Sequence, residues 1–317
     1  MYQISNPALN ILVVGDLMID HYIYGNCERI SPEAPIPVVE ITNEHHTLGG
    51  AGNVLKNLKA LGCNTSIVSV IGDDENAELV NSLLQKDSIV TDGIIKDSSR
   101  CTTIKSRVLA VRHQLIRLDR EVLTPVRNEI EEEIFKSFSN IVSNFDIVLI
   151  SDYNKGLLTD KLLADIINKC REVGVQTLVD PKGLDFAKYK NATLIKPNRK
   201  EAGLATGIVI KNEETLKQAC EKIRQITKCE NIVVTLSEDG TALYSQNELT
   251  IIPTKALDVI DVTGAGDTVL ASLGLAIASG RSIYDACVFA NQAAAIVVSK
   301  VGSATATINE INAKFFN

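Results

Sequence analysis

With 317 residues, 45% of them hydrophobic, the chain has enough apolar mass for one large α/β domain or two smaller ones. A formal charge of −7 argues against binding nucleic acid by bulk electrostatics, and leaves room for a local positive site that binds a phosphate compound. Seven cysteines with no C-x-x-C pair fit a reduced cytoplasm, and no apolar run approaches the ~20 residues of a membrane-spanning helix, so no membrane partner is expected.

Asn10 to Val14 is a short apolar run ending in Gly15-Asp16, predicted as a buried strand with polar residues at its carboxyl end. Tyr22 to Ile41 spaces its apolar residues with turn residues and three prolines. Proline confines strands to edges or to a small separate sheet, so this stretch is predicted to belong to a lid. His45 and His46 are read as loop residues, and the four histidines are not expected to form a metal site. Gly49-Gly50-Ala51-Gly52-Asn53 opens a helix over Gly52 to Leu61, which Gly62 stops. Strands over Thr65 to Ile71 and Ile89 to Ile94 flank a helix over Glu75 to Gln85.

From Cys101 to Arg120 the pattern alternates and is basic. Lys105 and Arg107 share one face of an extended strand. Arg112, His113, Arg117 and Arg120 follow, with Asp119 and Glu121 opposing them. A solvated hairpin and a phosphate-binding arm of the lid explain that charge pattern equally well.

After Pro125 the rhythm is α/β. Helices are predicted over Asn128 to Val142, Asp160 to Val173 and Glu213 to Ile226, and strands over Ile147 to Ile150, Thr177 to Val179, Thr193 to Ile195 and Ile232 to Thr235. Such alternation implies a parallel sheet with helices on both faces. Asp16, Asp152, Asp180 and Asn198 all follow strand-like runs, and in open α/β sheets ligands bind at the carboxyl ends of strands. Without an internal repeat or a low-complexity linker, one domain over residues 1–317 is expected, with lid strands from about residues 17–45 and 100–120.

Asp261-Val262-Thr263-Gly264-Ala265-Gly266-Asp267 follows the strand-like run Thr250 to Ile252 and opens an apolar helix from about Thr268 to Ser279, with Gly280 suited to its C-terminal cap. Gly264, Ala265 and Gly266 leave three backbone N–H groups almost without side-chain cover at a helix N-terminus, which favours an anion. Asp267 would repel that anion, unless its carboxylate takes a proton from a hydroxyl that attacks it. A carboxylate beside an oxyanion cradle fits phosphoryl transfer to an alcohol. Were the loop to stand alone, a glycine-rich turn with Asp267 as N-cap would explain the same residues.

The two glycine motifs together resemble the two signatures of the ribokinase (PfkB) family of sugar kinases, and the resemblance runs from about Ile11 to Ile308. Within that family, Val14 to Asp20, Ser31 to Val38, Ser151 to Gly156 and Asp180 to Gly183 are similar to the D-glycero-β-D-manno-heptose-7-phosphate kinases. The resemblance implies a ribokinase-like three-layer α/β/α fold with a mainly parallel central sheet and a β-sheet lid. It implies ATP-dependent phosphorylation of the anomeric hydroxyl of heptose 7-phosphate. Asp267 would be the general base, and Gly264, Ala265 and Gly266 the anion hole.

Lys196-Pro197-Asn198-Arg199-Lys200-Glu201 resembles the family's N-P-N-x-x-E segment and departs from it at Lys196. Asn198 and Glu201 are then placed near the triphosphate, with Glu201 reaching Mg²⁺ through water. Thr235 to Gly240 resembles a nucleotide-binding T-L-G-x-x-G turn in which Ser237 replaces glycine, and Asn291 matches a residue at the adenine pocket. Asp261 is grouped with these nucleotide-side residues. Asp16, Asp20, Gly49, Gly50 and Asn53 are expected at the sugar, and Arg107, Arg112, Lys155 and Lys182 at its distal phosphate. A homodimer paired through the lid is expected, and monovalent-cation activation is left open.

The alternatives are another sugar or sugar-phosphate kinase and a non-catalytic sugar-binding homologue. A nicotinamide-dependent oxidoreductase would need G-x-G-x-x-G after the first strand, where the chain reads Gly15-Asp16-Leu17-Met18-Ile19-Asp20. The chain contains no H-x-G-H signature of the nucleotidyltransferase domain that follows in many relatives.

Overall fold

The structure, a computed structural model, describes residues 9–110, 113–254 and 258–315. Its core is a nine-stranded sheet. The strands are β1 (Asn10–Gly15), β4 (Asn64–Ile71), β5 (Val90–Lys96), β8 (Ile147–Ser151), β9 (Gln176–Asp180), β10 (Leu194–Ile195), β11 (Asn231–Thr235), β12 (Thr241–Ser245) and β13 (Glu248–Ile252), in the order β13-β12-β11-β10-β9-β8-β1-β4-β5. All neighbours pair parallel except β11–β12 and β12–β13.

Alternation along β1 assigns the two layers. Ile11 and Val13 pack with α1 (Ala51–Ala60), α2 (Glu75–Lys86), α7 (Ala265–Ala278) and α8 (Ile283–Val297). Leu12 and Val14 pack with α3 (Asn128–Ile141), α4 (Asp160–Val173), α5 (Arg199–Thr206) and α6 (Glu213–Thr227). Strands apolar on both faces need helices on both faces, and the expected three-layer architecture follows.

The lid is a four-stranded sheet in the order β3-β2-β6-β7, from β2 (Leu17–Ile30), β3 (Pro37–Gly50), β6 (Thr103–Ala110) and β7 (His113–Arg120). β2 pairs antiparallel with β3 and parallel with β6. The lid therefore runs on to Gly50, past the expected limit near residue 45, because β3 stays paired to β2 until it enters α1.

Three local expectations are corrected. His45 and His46 lie within β3, not in a loop. The β12–β13 hairpin was legible only as Thr250 to Ile252, because its two turn residues, Gln246 and Asn247, take positive φ (52° and 68°) without a glycine to mark the turn. And α7 begins at Ala265, three residues before the predicted Thr268, so the glycine cradle is the first turn of the helix itself.

Candidate active site

The parallel strands deliver their carboxyl-end residues to one edge: Asp16 after β1, Asp152 after β8, Asp180 closing β9, Lys196 after β10 and Thr235 closing β11. Against that edge stand the N-termini of α1 and α7. A cleft of about 550 Å³ lies between the start of α7 and the ends of β8 to β11, with Asn291 of α8 also lining it.

Asp267 is the third residue of α7 and is not its N-cap; that position is held by Gly264 at φ 77°, and no side chain caps the helix. In contrast, α2, α4, α5, α6 and α8 are capped by Asp74, Thr159, Asn198, Asn212 and Ser282. The leading N–H groups of a helix have no partner inside it. Ala265 N–H is turned to Val262 O at 3.2 Å, which leaves the N–H groups of Gly266 and Asp267 without an intrahelical acceptor. A methyl group on Gly266 would meet nothing closer than Lys196 Nζ at 3.8 Å and Asp180 Oδ2 at 4.0 Å, so the cradle is open.

The Asp267 carboxylate is buried and held from both sides. Asn53 Nδ2 donates to Oδ2 at 2.7 Å, and Tyr153 Oη donates to Oδ1 at 2.8 Å. Burial raises its pKa above the ordinary aspartate value; the bonds from Asn53 and Tyr153 and the charge of Lys196 pull the other way without cancelling it. A carboxylate of raised pKa is a stronger base once ionised. Asn53 Oδ1 is buried with no hydrogen-bond partner in the protein, which leaves an acceptor beside Asp267 for a ligand hydroxyl.

Lys196, where the segment departs from the family pattern, is almost wholly buried and pairs with Asp180 Oδ1 at 3.0 Å, beside the open face of Gly266. Burial pushes the Asp180 carboxyl up to about 7, against the Lys196 charge, with Asp267 and Glu201 adding to the rise. The β9–β10 register makes the pair: Val179 and Ile195 are partners, so the residues that follow them meet, and that pairing is not visible in the sequence. Tyr153 carried no signal either.

Asn198 and Glu201, expected at the nucleotide, form a capping box: Glu201 N–H donates to Asn198 Oδ1 at 2.8 Å and Asn198 N–H to Glu201 Oε2 at 3.0 Å. Lys182 Nζ pairs with Glu201 Oε1 at 2.8 Å. Lys182 thus lines the cleft beside Glu201, whereas Arg107 and Lys155, expected with it at the distal phosphate, do not. Ser237 adopts φ 58°, the conformation glycine would take, so the turn keeps its path without the glycine. Gly240, at φ 92°, admits no side chain because a Cβ would lie 2.3 Å from Ile252 O. Thr235, Ser237, Gly240 and Asn291 line the cleft. Asn291 is buried and ties α8 to β13 through Ile252 O at 2.9 Å, so it is no helix-surface residue. Asp261 shapes the cradle's approach: Oδ1 accepts from Thr263 N–H and hydroxyl at 2.9 and 2.6 Å, and Oδ2 from Gly302 N–H at 2.9 Å.

Asp20, expected at the sugar, pairs with Arg107, whose guanidinium lies 5.3 Å from the centre of the Tyr22 ring. Gly49 makes room for Asp20, and Gly50, at φ 57°, for the Asp16 carbonyl. Asp16 Oδ2 accepts from Tyr153 N–H at 2.9 Å and Lys155 N–H at 3.3 Å, so it shapes the loop that carries Tyr153. Burial, with Asp152 nearby, pushes the Asp16 carboxyl up to about 6. The basic stretch is more neutralised than its sequence suggests. Lys105 pairs with Asp119 and Glu121, Lys155 with Glu121, and Arg117 with Asp119. The antiparallel β6–β7 register sets Asp119 opposite Lys105. Arg112 lies outside the described residues.

Comparison with known proteins matches this arrangement to a family. Residues 8–310 match the pfkB family carbohydrate kinases. The chain is 50% identical over 303 residues to the "Bifunctional protein HldE" of Campylobacter curvus and 45% identical over 311 residues to that of Helicobacter hepaticus, covering 96% and 98% of this chain. It spans 64% of the length of each of these two relatives. Among solved structures, phosphofructokinase-2 of Escherichia coli in complex with potassium superposes with a TM-score of 0.80 at 18% identity, over 97% of this chain and 98% of that one. A ribokinase of Arabidopsis thaliana complexed with ribose and ATP superposes with a TM-score of 0.75 at 21% identity, over 98% and 100% of the two chains. The fold is ribokinase-like, and the chain belongs to the pfkB family and is a carbohydrate kinase.

Proposed function

We propose that the chain transfers the γ-phosphoryl group of ATP to the anomeric hydroxyl of D-glycero-D-manno-heptose 7-phosphate, giving the 1,7-bisphosphate for ADP-heptose and lipopolysaccharide core synthesis. The observation that carries the transfer is the buried Asp267 carboxylate beside the open first turn of α7. The choice of sugar is supported by the likeness to the HldE proteins and by the motifs shared with heptose-phosphate kinases.

In this reading the sugar enters beneath the lid, with hydroxyls on Asp20 and Asn53. Each carboxylate oxygen has two lone pairs, so Asp267 Oδ1 can keep the Tyr153 bond and still accept the anomeric O–H. As that oxygen attacks, its proton passes to Asp267. Charge on the transferring group meets the N–H groups of Gly266 and Asp267 and the Lys196 ammonium. Among the described residues, Arg107 and the Lys105–Glu121–Lys155 cluster are candidate cations for the distal phosphate. The donor set also fits Mg²⁺: Asp180 and Glu201 are oxygen ligands lining one cleft, and their mutual repulsion is what a cation there would relieve. These two would hold the ion, which when bound neutralises charge on the phosphates.

ADP release assayed across a panel of phosphorylated and free sugars tests the proposal. Turnover with heptose 7-phosphate well above that with hexose phosphates is the expected result; a preference for an unphosphorylated sugar would overturn the choice of acceptor. We place the enzyme in the cytoplasm, in keeping with seven unpaired cysteines. A homodimer through the lid is supported by Ile41, Ile116 and Leu118, all more than half exposed on that sheet. Light scattering at micromolar concentration should return twice the chain mass.

A further inference from the structure

We propose that His21, Glu44 and His46 form a binding site for a divalent transition metal of the zinc class, on the lid face turned away from Asp20. Side chains alternate along a strand, so His21 points opposite to its neighbour Asp20. His21 on β2 and His46 on β3 are direct register partners. Their rings lie 4.0 Å apart, centre to centre, at an interplanar angle of 12°. Glu44, two residues before His46, shares its face. The ligand atoms of all three lie within 4.8 Å of one another. Atoms bound to one zinc at about 2.1 Å lie no more than roughly 4.2 Å apart, so side-chain rotation alone closes the set.

A second observation concerns the far side of the ring. His21 Nδ1 lies 3.0 Å from Ser106 Oγ on β6, while Nε2 lies 3.0 Å from Glu44 Oε2. When a metal displaces the proton between Nε2 and Glu44, Ser106 Oγ accepts from Nδ1–H and holds the ring with its Nε2 lone pair toward Glu44 and His46. That is how metal-ligating histidines are oriented by a partner on their other nitrogen. Two imidazoles and one carboxylate with an open fourth position is a zinc donor set, and imidazole favours zinc, nickel or cobalt over magnesium or calcium. All three ligands belong to one chain. A bound ion would join β2 to β3 one residue from Asp20 and so stiffen the strand that presents it.

Titration calorimetry of the whole chain with Zn²⁺ alone tests the site. One ion per chain at micromolar affinity or tighter is expected, unaffected by millimolar Mg²⁺. His46→Ala should abolish it, Glu44→Gln weaken it, and Ser106→Ala weaken it about tenfold while leaving the stoichiometry unchanged. His45→Ala, on the opposite face of the same strand, should bind as the parent does. No uptake by the parent chain would overturn the proposal, as would uptake that survives His46→Ala or is lost with His45→Ala.

Discussion

At the start of α1 the glycines are hemmed in by protein. A methyl group on Gly50 would lie 2.5 Å from Asp16 O, and one on Gly52 2.7 Å from Leu48 Cβ. At the start of α7, Gly266 faces open space, with nothing nearer than 3.8 Å. The two helix ends are tied together: Asn53 reaches Asp267, and the Thr268 hydroxyl donates to Asn57 Oδ1 at 2.8 Å. Alike as they are in sequence, the two motifs use glycine differently. In α1 it lets elements approach, and in α7 Gly266 leaves space open. Gly264 belongs to both cases, since its φ is 77° and a side chain would strike Asn53 at 2.5 Å.

The largest effect expected is at the base. Asp267→Asn keeps the shape and should fold, yet lose about 10²–10⁴-fold in turnover or more. Near-parent turnover would remove Asp267 from the mechanism.

The glycines divide next. Gly266→Ala should leave thermal stability at least equal to the parent's, because alanine is the better helix residue. It should weaken nucleotide binding by the value of a charge-assisted contact, about 1.5–3 kcal/mol. Gly50→Ala should do the reverse, destabilising the fold by about 1–3 kcal/mol through its strained φ. Thermal unfolding and the KM for ATP, measured on both variants, check the contrast; equal unfolding losses would erase it.

Tyr153→Phe should fold and lose a smaller factor in kcat. The bond from Tyr153 favours the ionised Asp267, so its removal raises that pKa further. The base works only when ionised, so the acid limb of the kcat/KM profile should move to higher pH. An unmoved limb would show that Tyr153 does not touch the base during turnover.

Lys182→Ala should have the least effect. Because its partner is Glu201, the KM for ATP should rise while that for the sugar phosphate stays constant. A change confined to the sugar phosphate would place Lys182 at the acceptor site.

The layered core and the α7 cradle were legible in sequence because their signals are local: apolar runs of the right length, and glycines next to a helix. Tyr153 was not, because its contact with Asp267 spans 114 residues and depends on the loop that Asp16 shapes. The direction of Lys182 was not legible for a related reason. Its motif placed it at a strand end, but only the fold decides whether it turns to Glu201 or toward the lid. The basic stretch of β6 and β7 overstated its charge because strand pairing, invisible in a linear reading, sets Asp119 opposite Lys105. His21 and His46 lie 25 positions apart and meet only through the β2–β3 register.

The two legs of the lid hairpin have almost no slack. Only Asp16 separates the end of β1 from the start of β2, and β3 ends at Gly50 with α1 beginning at the next residue. A rocking of the lid must therefore be absorbed at Asp16, whose carboxylate positions Tyr153, and at the first turn of α1, which carries Asn53. Both side chains hold Asp267. In the proposed mechanism lid angle and base alignment would be mechanically geared: a sugar that drew the lid down would also trim the carboxylate that deprotonates it, and an ill-fitting one would leave the base out of true.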